Sequence, residues 1–147
     1  MTKIFNVTIE DQENPEVLEV LIQGVRTYNS PYFGPVRCQN YTMYVRDENQ
    51  NTVGGIAGFI LYDHLRINWA WVSKDYRGQG LGSQLLRALD TYALSKGCTF
   101  IQLDTYDFQA KPFYEKNGYV CVGTIEKWLY GRDCHFLRKI LQDPSAL

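Results

Sequence analysis

A chain of 147 residues can bury one hydrophobic core large enough to fold without a metal or disulfides. Hydrophobic residues make up 45% and charged residues 21% of the sequence, a composition that excludes both a disordered chain and a membrane-spanning one. The formal net charge of -1, from 15 basic and 16 acidic residues, excludes a sequence-wide attraction to nucleic acid or anionic membranes, so a bound anion must be held by a local site.

The cysteines and histidines indicate neither a metal site nor a disulfide framework. They lie apart in the sequence, without a CxxC pair: Cys38, Cys98, Cys121, Cys134, His64 and His135. Isolated cysteines in apolar runs usually pack as small hydrophobic side chains. The amino terminus has no long apolar stretch behind a basic start, and no later segment approaches the length of a membrane span. We therefore expect a soluble, cytoplasmic protein with no metal.

The amino-terminal segment is expected to contain a strand, a helix and a loop. Residues Lys3–Ile9 alternate between apolar and polar side chains, as a strand does. Pro15 lies near the start of a helical pattern of apolar residues that continues to Val25. The segment Tyr28–Pro35 is rich in turn formers and aromatic residues, which predicts a loop whose side chains line a ligand cleft.

An antiparallel meander of three strands is predicted next. The strands, joined by short turns, are Tyr41–Asp47, Val53–Tyr62 and Leu65–Ser73. Gly54, Gly55 and Gly58 interrupt the second of them. Glycines inside a strand predict a bulge or the close approach of another backbone.

The second half of the chain alternates between helices and strands. Apolar residues recur at helical spacing from Leu81 to Ala93, and Gly97 ends that helix. A strand, a short helix and two strands follow at Phe100–Leu103, Pro112–Lys116, Tyr119–Glu126 and Cys134–Leu141. No linker or repeat divides the sequence. The predicted order is strand, helix, three strands, helix, strand, helix and two strands, which favours a single mixed α/β domain over residues 1–147.

The segment Trp71–Gly82 joins an apolar strand to an amphipathic helix through three glycines. Glycines allow successive backbone N–H groups to point into one concavity, and the first turn of a helix adds unpaired N–H groups and a partial positive charge. Such a segment predicts an anion site that suits a diphosphate.

The spacing Arg77-x-x-Gly80-x-Gly82 resembles the pyrophosphate-binding motif of the GNAT superfamily of N-acetyltransferases. The resemblance implies that this loop holds the diphosphate of acetyl-CoA and that Val72 and Ser73 offer backbone groups to the pantetheine arm. It assigns the following residues to the cofactor: Trp71, Val72, Ser73, Arg77, Gly78, Gln79, Gly80, Leu81 and Gly82.

A second segment, Ala110–Tyr119, is similar to the part of the family in which a short helix beside the thioester carries a tyrosine. The tyrosine at that position is Tyr114. Both segments occur in the family's order, and the resemblance covers most of residues 41–141. It implies a GNAT-like fold, with a central mixed, mostly antiparallel sheet flanked by helices.

Acetyl transfer from a thioester to an amine needs few protein groups, because holding the reactants in attack geometry already lowers the barrier. The departing thiolate needs a proton, and a phenol with a pKa of about 10 donates one while staying neutral near pH 7. Tyr114 is the candidate general acid and, by resemblance, also contacts the cofactor; the alternative is a tyrosine that only packs the short helix. Phe113 is expected in the core. Direct attack in a ternary complex is the expected mechanism.

An acceptor that arrives as an ammonium must also lose a proton, which calls for a carboxylate near the strand ends. Asp104 closes a predicted strand and is the first candidate for this base, with Asp107 second; the alternative role of Asp104 is to cap the turn after the strand. Many family members have an asparagine that contacts CoA where this chain has Asp107. Either that contact is lost, or a nearby group such as Gln109 replaces it.

Aromatic residues gather where the acceptor cleft is expected. The candidates for substrate binding are Tyr28, Tyr32, Trp69, Tyr106 and Trp128. An aromatic wall favours a cationic amine through cation–π attraction, although the same residues are equally typical of core or surface packing. The acceptor itself, a polyamine, an antibiotic, an amino acid or a protein amine, is left open by the sequence.

Two other functions and one assembly are considered. A dinucleotide-binding oxidoreductase would also have a glycine loop after a strand, but Gly78-x-Gly80-x-Gly82 lacks the GxGxxG spacing. A catalytically inactive relative would bind acyl-CoA as a sensor or interaction module. Many members of the GNAT superfamily are dimers, and the resemblance allows a homodimer that pairs through the edge of the strand Cys134–Leu141.

Overall fold

The computed structural model describes residues 1–141 as a mixed α/β protein, as expected. Its three helices are α1 (Pro15–Phe33), α2 (Leu81–Ser95) and α3 (Lys111–Lys116), and its six strands are β1 (Cys38–Arg46), β2 (Thr52–Leu61), β3 (His64–Val72), β4 (Phe100–Tyr106), β5 (Val120–Leu129) and β6 (Arg132–Ile140). No helix in this part of the chain is long and apolar enough to cross a membrane. Contacts group the residues into two compact units, one of Met1–Val36 and one that begins at Arg37. A single domain over residues 1–147 stays a prediction.

The first unit contains α1, which runs through the predicted loop Tyr28–Pro35 as far as Phe33. That prediction was wrong because Pro31, which cannot donate the usual hydrogen bond to Thr27, is tolerated inside the helix. The Ser30 hydroxyl donates to the Thr27 carbonyl at 3.1 Å instead, so the carbonyl keeps a partner.

The strand predicted for Lys3–Ile9 is also wrong, because these residues have no regular secondary structure. An alternating pattern gives a segment one apolar face but does not supply a strand to pair with. Within residues 1–141 the sheet begins only at Cys38.

The sheet of the second unit has the strand order β1-β2-β3-β4-β6-β5. All its neighbours are antiparallel except β3 and β4, which pair in parallel only between His64–Arg66 and Phe100–Gln102. Beyond those residues β3 and β4 are not paired with each other, so the sheet opens between their carboxyl ends. Since β6 lies between β4 and β5, the edge pairing predicted for Cys134–Leu141 is wrong: both sides of that strand are already hydrogen-bonded.

The core lies between α2 and one face of the sheet, which we call the α2 face. Alternate residues of β4 supply it, with Ile101 and Leu103 buried against Leu85, Leu86 and Leu89 of α2. The pairing of β2 with β3 is irregular beside Gly58: the register shifts between Ala57 and Gly58, where β3 has the unpaired residue Asn68, so the bulge lies in β3 and not in β2. A Cβ atom at Gly58 would lie 1.9 Å from the Arg66 carbonyl oxygen, so only glycine fits this approach.

Candidate active site

A cavity of about 490 Å³ lies on the α2 face, between the end of β3, the start of α2, and α3. This volume is in the range of small-molecule sites. Most of the residues assigned to the cofactor from the sequence line it, namely Trp71, Val72, Arg77, Gly78, Gly80, Leu81, Gly82 and Tyr114. Two segments that are separated by a helix and a strand in the sequence therefore meet at one cavity.

The start of α2 is arranged to hold an anion. Gly80 is the N-cap residue, with a left-handed φ of 83°, and no side chain caps the helix. The first backbone hydrogen bond of the helix runs from Gln84 N–H to the Gly80 carbonyl, so the N–H groups of Leu81, Gly82 and Ser83 have no intrahelical acceptor. These donors and the helix dipole favour an anion at this end of the cavity.

Arg77 is fixed beside these donors. Its Nε donates to the Val72 carbonyl oxygen at 2.9 Å, which holds the guanidinium at the end of β3. The Ser73 N–H is committed to the Val53 carbonyl at 2.8 Å. Because successive strand residues direct their backbone groups to opposite sides, Val72 and Ala70, rather than Ser73, face the side that β4 leaves open.

Tyr114 is 9% exposed and contributes its ring to the same cavity. The ring lies edge-on to Phe113, at 5.3 Å and 62° between planes, and to Tyr119, at 5.7 Å and 71°. No group in residues 1–141 hydrogen-bonds to its hydroxyl. Burial raises the pKa of Tyr114 above the ordinary phenol value, so this side chain stays protonated near pH 7.

Asp104 lies on the other side of the sheet, which we call the opposite face. Its Oδ1 forms an ion pair with Arg66, whose guanidinium also donates to Gln102 Oε1 and to Asn68 Oδ1. Its Oδ2 accepts a hydrogen bond from the Cys134 thiol, at 3.9 Å. This network closes the paired part of β3 and β4 at the point where the two strands separate.

Comparison with known proteins places these features in one family. Residues 8–119 match the model of the "Acetyltransferase (GNAT) family". This chain belongs to the GNAT family of acetyltransferases. It is 34% identical to the blasticidin-S acetyltransferase of Streptomyces morookaense, over 91% of this chain and 94% of that protein.

Solved structures of GNAT proteins have the same fold. An acetyltransferase from Bacillus cereus ATCC 14579 superimposes with a TM-score of 0.81 at 33% identity, covering 91% of this chain and 97% of that one. A structure from Bacillus anthracis str. Ames, in complex with acetyl coenzyme A, has a TM-score of 0.58 at 24% identity and covers 66% of this chain and 60% of that one.

Three polar residues assigned to the cofactor of this GNAT protein have other partners. Gln109 caps the turn after β4, where its Oε1 accepts from the Tyr106 N–H at 2.8 Å; this is the turn-capping role considered for Asp104. Asp107 Oδ1 pairs with Arg132 Nε at 3.1 Å. Gln79 donates to the Asp75 carbonyl at 2.9 Å. These three side chains, and Ser73, are not among the cavity-lining residues.

The aromatic residues predicted for the acceptor are divided between the two units. Tyr28 and Tyr32 belong to α1 in the first unit. Trp69 is 76% exposed and alternates with Ala70, which lines the cavity, so its ring points to the opposite face. Trp128 packs edge-on against Phe136 at 6.2 Å, and Phe136 is the register partner of Asp104. Tyr106 stacks on Phe108 at 5.7 Å.

Neither histidine lines the cavity. His64 stacks on Phe100 at 4.8 Å, and the Nδ1 of His135 is 2.8 Å from the Thr124 hydroxyl oxygen. Within the described residues, no cluster of three or more histidine, cysteine or acidic side chains is arranged to hold a metal ion.

Several cavity residues were missed by the sequence reasoning. They come from β2, β3, the turn between β3 and α2, α2 and α3, and include Ile56, Ala70, Tyr76, Ser83, Leu86, Phe113 and Lys116. The apolar ones look like ordinary core residues in the sequence, and only the packing of α3 beside α2 shows which of them face the cavity. Phe113 is one of these, since it was expected only in the core.

Proposed function

We propose that this GNAT protein transfers the acetyl group of acetyl-CoA to a primary amine of a small molecule, by direct attack in a ternary complex. One observation carries the proposal: the free amides at the start of α2 and the buried phenol of Tyr114 line the same cavity. The first suits a diphosphate and the second suits a departing thiolate. Acetyl-CoA presents both groups, a diphosphate and a thioester, joined by the flexible pantetheine arm.

The cofactor half of the site follows from the residues at the cavity. The N–H groups of Leu81, Gly82 and Ser83, together with Arg77, hold the diphosphate. The free edge of β3 at Ala70 and Val72 offers backbone groups to the pantetheine arm. Lys116, at the end of α3 and also on the cavity, adds a second cation for the phosphates.

The acceptor enters from the opposite face, where the carboxyl ends of β3 and β4 separate. Asp104 Oδ2, which the Arg66 ion pair leaves available, receives the ammonium. Trp69, Tyr106 and Trp128 supply aromatic surface for a cation, worth about 0.5–2 kcal/mol for each good contact. The name of the blasticidin-S relative supports a small-molecule acceptor, so blasticidin S is the first compound to test.

The transfer needs three proton movements. The bound ammonium first loses a proton to Asp104, directly or through water, and Asp104 passes this proton to solvent. The neutral amine nitrogen then attacks the thioester carbonyl carbon, the carbon–sulfur bond breaks, and the thiolate takes the phenolic proton of Tyr114. The second proton, which the nitrogen loses as it becomes an amide, goes to solvent, and solvent restores the Tyr114 proton. Burial raises the pKa of the Cys98 and Cys134 thiols, which argues against a cysteine nucleophile and an acetyl-enzyme.

The first experiment is a thermal melt of the full chain alone, with acetyl-CoA, and with NAD. A ligand at 100 times its Kd stabilises a protein by about 2.7 kcal/mol, so a rise in Tm is expected with acetyl-CoA only. CoA release is then followed with blasticidin S, a polyamine and free diamino acids as acceptors. Tm unchanged by acetyl-CoA but raised by NAD would overturn the proposal, and binding without CoA release on any amine would favour the sensor.

The role of Tyr114 is tested by Tyr114→Phe, which removes only the hydroxyl. General acid catalysis contributes roughly 10²–10⁴-fold, so kcat should fall by at least about a hundredfold while the Kd of acetyl-CoA stays unchanged. An unchanged kcat would remove Tyr114 from the mechanism.

A cytoplasmic location and formation of a homodimer stay predictions from the sequence.

A further inference from the structure

Gly82 has a packing role that diphosphate binding does not explain. Unlike Gly78 and Gly80, it has no left-handed φ, so its backbone does not require glycine. A Cβ atom at position 82 would lie 2.9 Å from Phe113 Cζ and 3.3 Å from Phe113 Cε2. The ring of Phe113 thus rests directly on the backbone of α2 within its first turn, where any side chain would displace it.

Phe113 in turn contacts the catalytic candidate. Its ring meets the Tyr114 ring edge-on at 5.3 Å. The Tyr114 ring in turn meets the Tyr119 ring edge-on at 5.7 Å. The ammonium of Lys139 lies 6.0 Å from the Tyr119 ring and pairs with Asp90 of α2. Two chains of contact therefore connect Tyr114 to α2, one through Phe113 to the start of the helix and one through Tyr119 to its middle.

These contacts matter because α3 has only six residues and no side-chain cap at its N-terminus. A helix this short has no stability of its own in water, so tertiary contacts must fix its position. Among these contacts, the seat of Phe113 on Gly82 connects α3 to the loop that we assign to the diphosphate.

We propose that Phe113 is a positioning residue for acetyl transfer and that Gly82 is the seat that fixes it. Through this seat, the loop that binds the diphosphate sets the place of the Tyr114 hydroxyl relative to the thioester. The inference rests on the proposed function, because it assigns Phe113 a task within that reaction. It explains why residue 82, the third glycine of the loop, is glycine although its backbone has no left-handed φ.

The test is a set of double-mutant cycles on the full chain. Gly82→Ala should lower kcat about tenfold, since small displacements of reacting groups cost one to two orders of magnitude. In the Phe113→Leu background, where the smaller side chain leaves room, the same change should lower kcat less than about twofold. In the Tyr114→Phe background it should have no further effect on kcat, because the group through which it acts is gone.

Gly123→Ala is the matched control, because a Cβ atom at Gly123 would have no neighbour within 4 Å and the residue has no left-handed φ. It should leave kcat and Tm unchanged. Equal losses of kcat from Gly82→Ala in all three backgrounds would overturn the proposal, since the glycine would then act on the diphosphate or on overall stability alone.

A second measurement keeps this inference separate from the proposed function. The ¹³Cζ resonance of Tyr114, assigned by its loss in Tyr114→Phe, reports the surroundings of the phenol without turnover. Gly82→Ala should shift this resonance, and the added Phe113→Leu should return it towards the wild-type value. An unmoved resonance would overturn the positioning role even in an active enzyme; a shift in a protein that never releases CoA would retain the contact and refute the acetyl transfer.

Discussion

The two faces of the sheet are built for their tasks in different ways. On the α2 face, the anion site comes from a single run of residues, Trp71–Gly82, and its donors are backbone N–H groups. On the opposite face, the polar network joins Arg66 of β3 to Gln102 and Asp104 of β4, so its parts are far apart in the sequence. A site made of backbone groups depends on local conformation, whereas a site made of side chains depends on strand register.

The two faces also differ in how they handle charge. Apolar side chains line most of the cavity on the α2 face, and Arg77 and Lys116 add two positively charged side chains to its lining. The opposite face places the carboxylate of Asp104 against Arg66, and leaves Trp69 exposed. In the proposed reaction, an anionic cofactor and a cationic acceptor would therefore meet environments of different kinds, on the two sides of the gap between β3 and β4.

The largest expected effect tests whether the α2 face depends on backbone conformation. Gly80 caps α2 with a left-handed φ of 83°, which a β-branched side chain adopts only with strain. Gly80→Val should raise the Kd of acetyl-CoA by about a hundredfold, because the loop amides lose their common direction. Isothermal titration measures the Kd. A loss of less than about threefold would mean that side chains such as Arg77, and not the backbone, hold the cofactor.

A smaller effect on binding is expected on the opposite face, for the other substrate. Asp104→Asn keeps the size of the side chain but removes its charge, so the KM of a cationic acceptor should rise about tenfold. The kcat should fall as well, because an amide cannot take the proton that the acceptor releases. The Kd of acetyl-CoA should not change. Asp107→Asn is the control, since Asp107 pairs with Arg132 at the β5–β6 hairpin. Equal changes from both substitutions, or weaker binding of acetyl-CoA, would contradict the division of the site between two faces.

The smallest effect concerns the pH dependence of folding stability, which reports on the buried phenols of the α2 face. Burial raises the pKa of Tyr41, Tyr114 and Tyr119, so the folded state keeps protons that the unfolded chain loses above pH 10 or so. The contribution of these phenols to stability should be constant below that pH and fall above it, by about 0.8 kcal/mol at pH 10.5 for a phenol that stays fully protonated in the folded state, as Tyr41 and Tyr119 do.

Tyr119→Phe isolates one of these phenols. The Tyr119 hydroxyl is buried without a hydrogen-bond partner in the described residues, so its removal should cost little near pH 7 and should flatten the alkaline loss. Tyr130→Phe, at a 97% exposed position, is the control and should not alter the pH dependence. Urea unfolding at several pH values measures both. An alkaline slope that Tyr119→Phe leaves unchanged would mean that other groups cause it.

Much of the α2 face was predictable from the sequence. Its loop and helix follow from glycine spacing and apolar periodicity, and the structure has α2 at Leu81–Ser95 as the pattern requires. Tyr114, the tyrosine of α3, lines the cavity beside that loop, and its catalytic role stays a proposal. The positions of the loop, of α2 and of Tyr114 in α3 were predictable because each depends on a short segment whose residues are neighbours in the chain.

The opposite face was predicted only in part. Asp104 was expected near the strand ends, but its pairing with Arg66 depends on the parallel register of β3 and β4, which joins residues nearly forty positions apart. Asp107 was assigned to the cofactor because it stands where many family members have an asparagine that contacts CoA, and Gln109 because it lies near enough to replace that contact. In the structure the Asp107 side chain turns to Arg132, and Gln109 turns back to cap β4.

The sequence by itself determined the glycine loop, the amphipathic helix behind it and the position of Tyr114 in α3. Backbone conformation and helical periodicity are properties of short segments, so both can be predicted from a single sequence. Only the tertiary structure decided that Phe113 sits on Gly82, that Arg66 holds Asp104, and that β6 is an inner strand. Those contacts arise from the register of strands and the packing of α3 on α2, which no local pattern in the chain records.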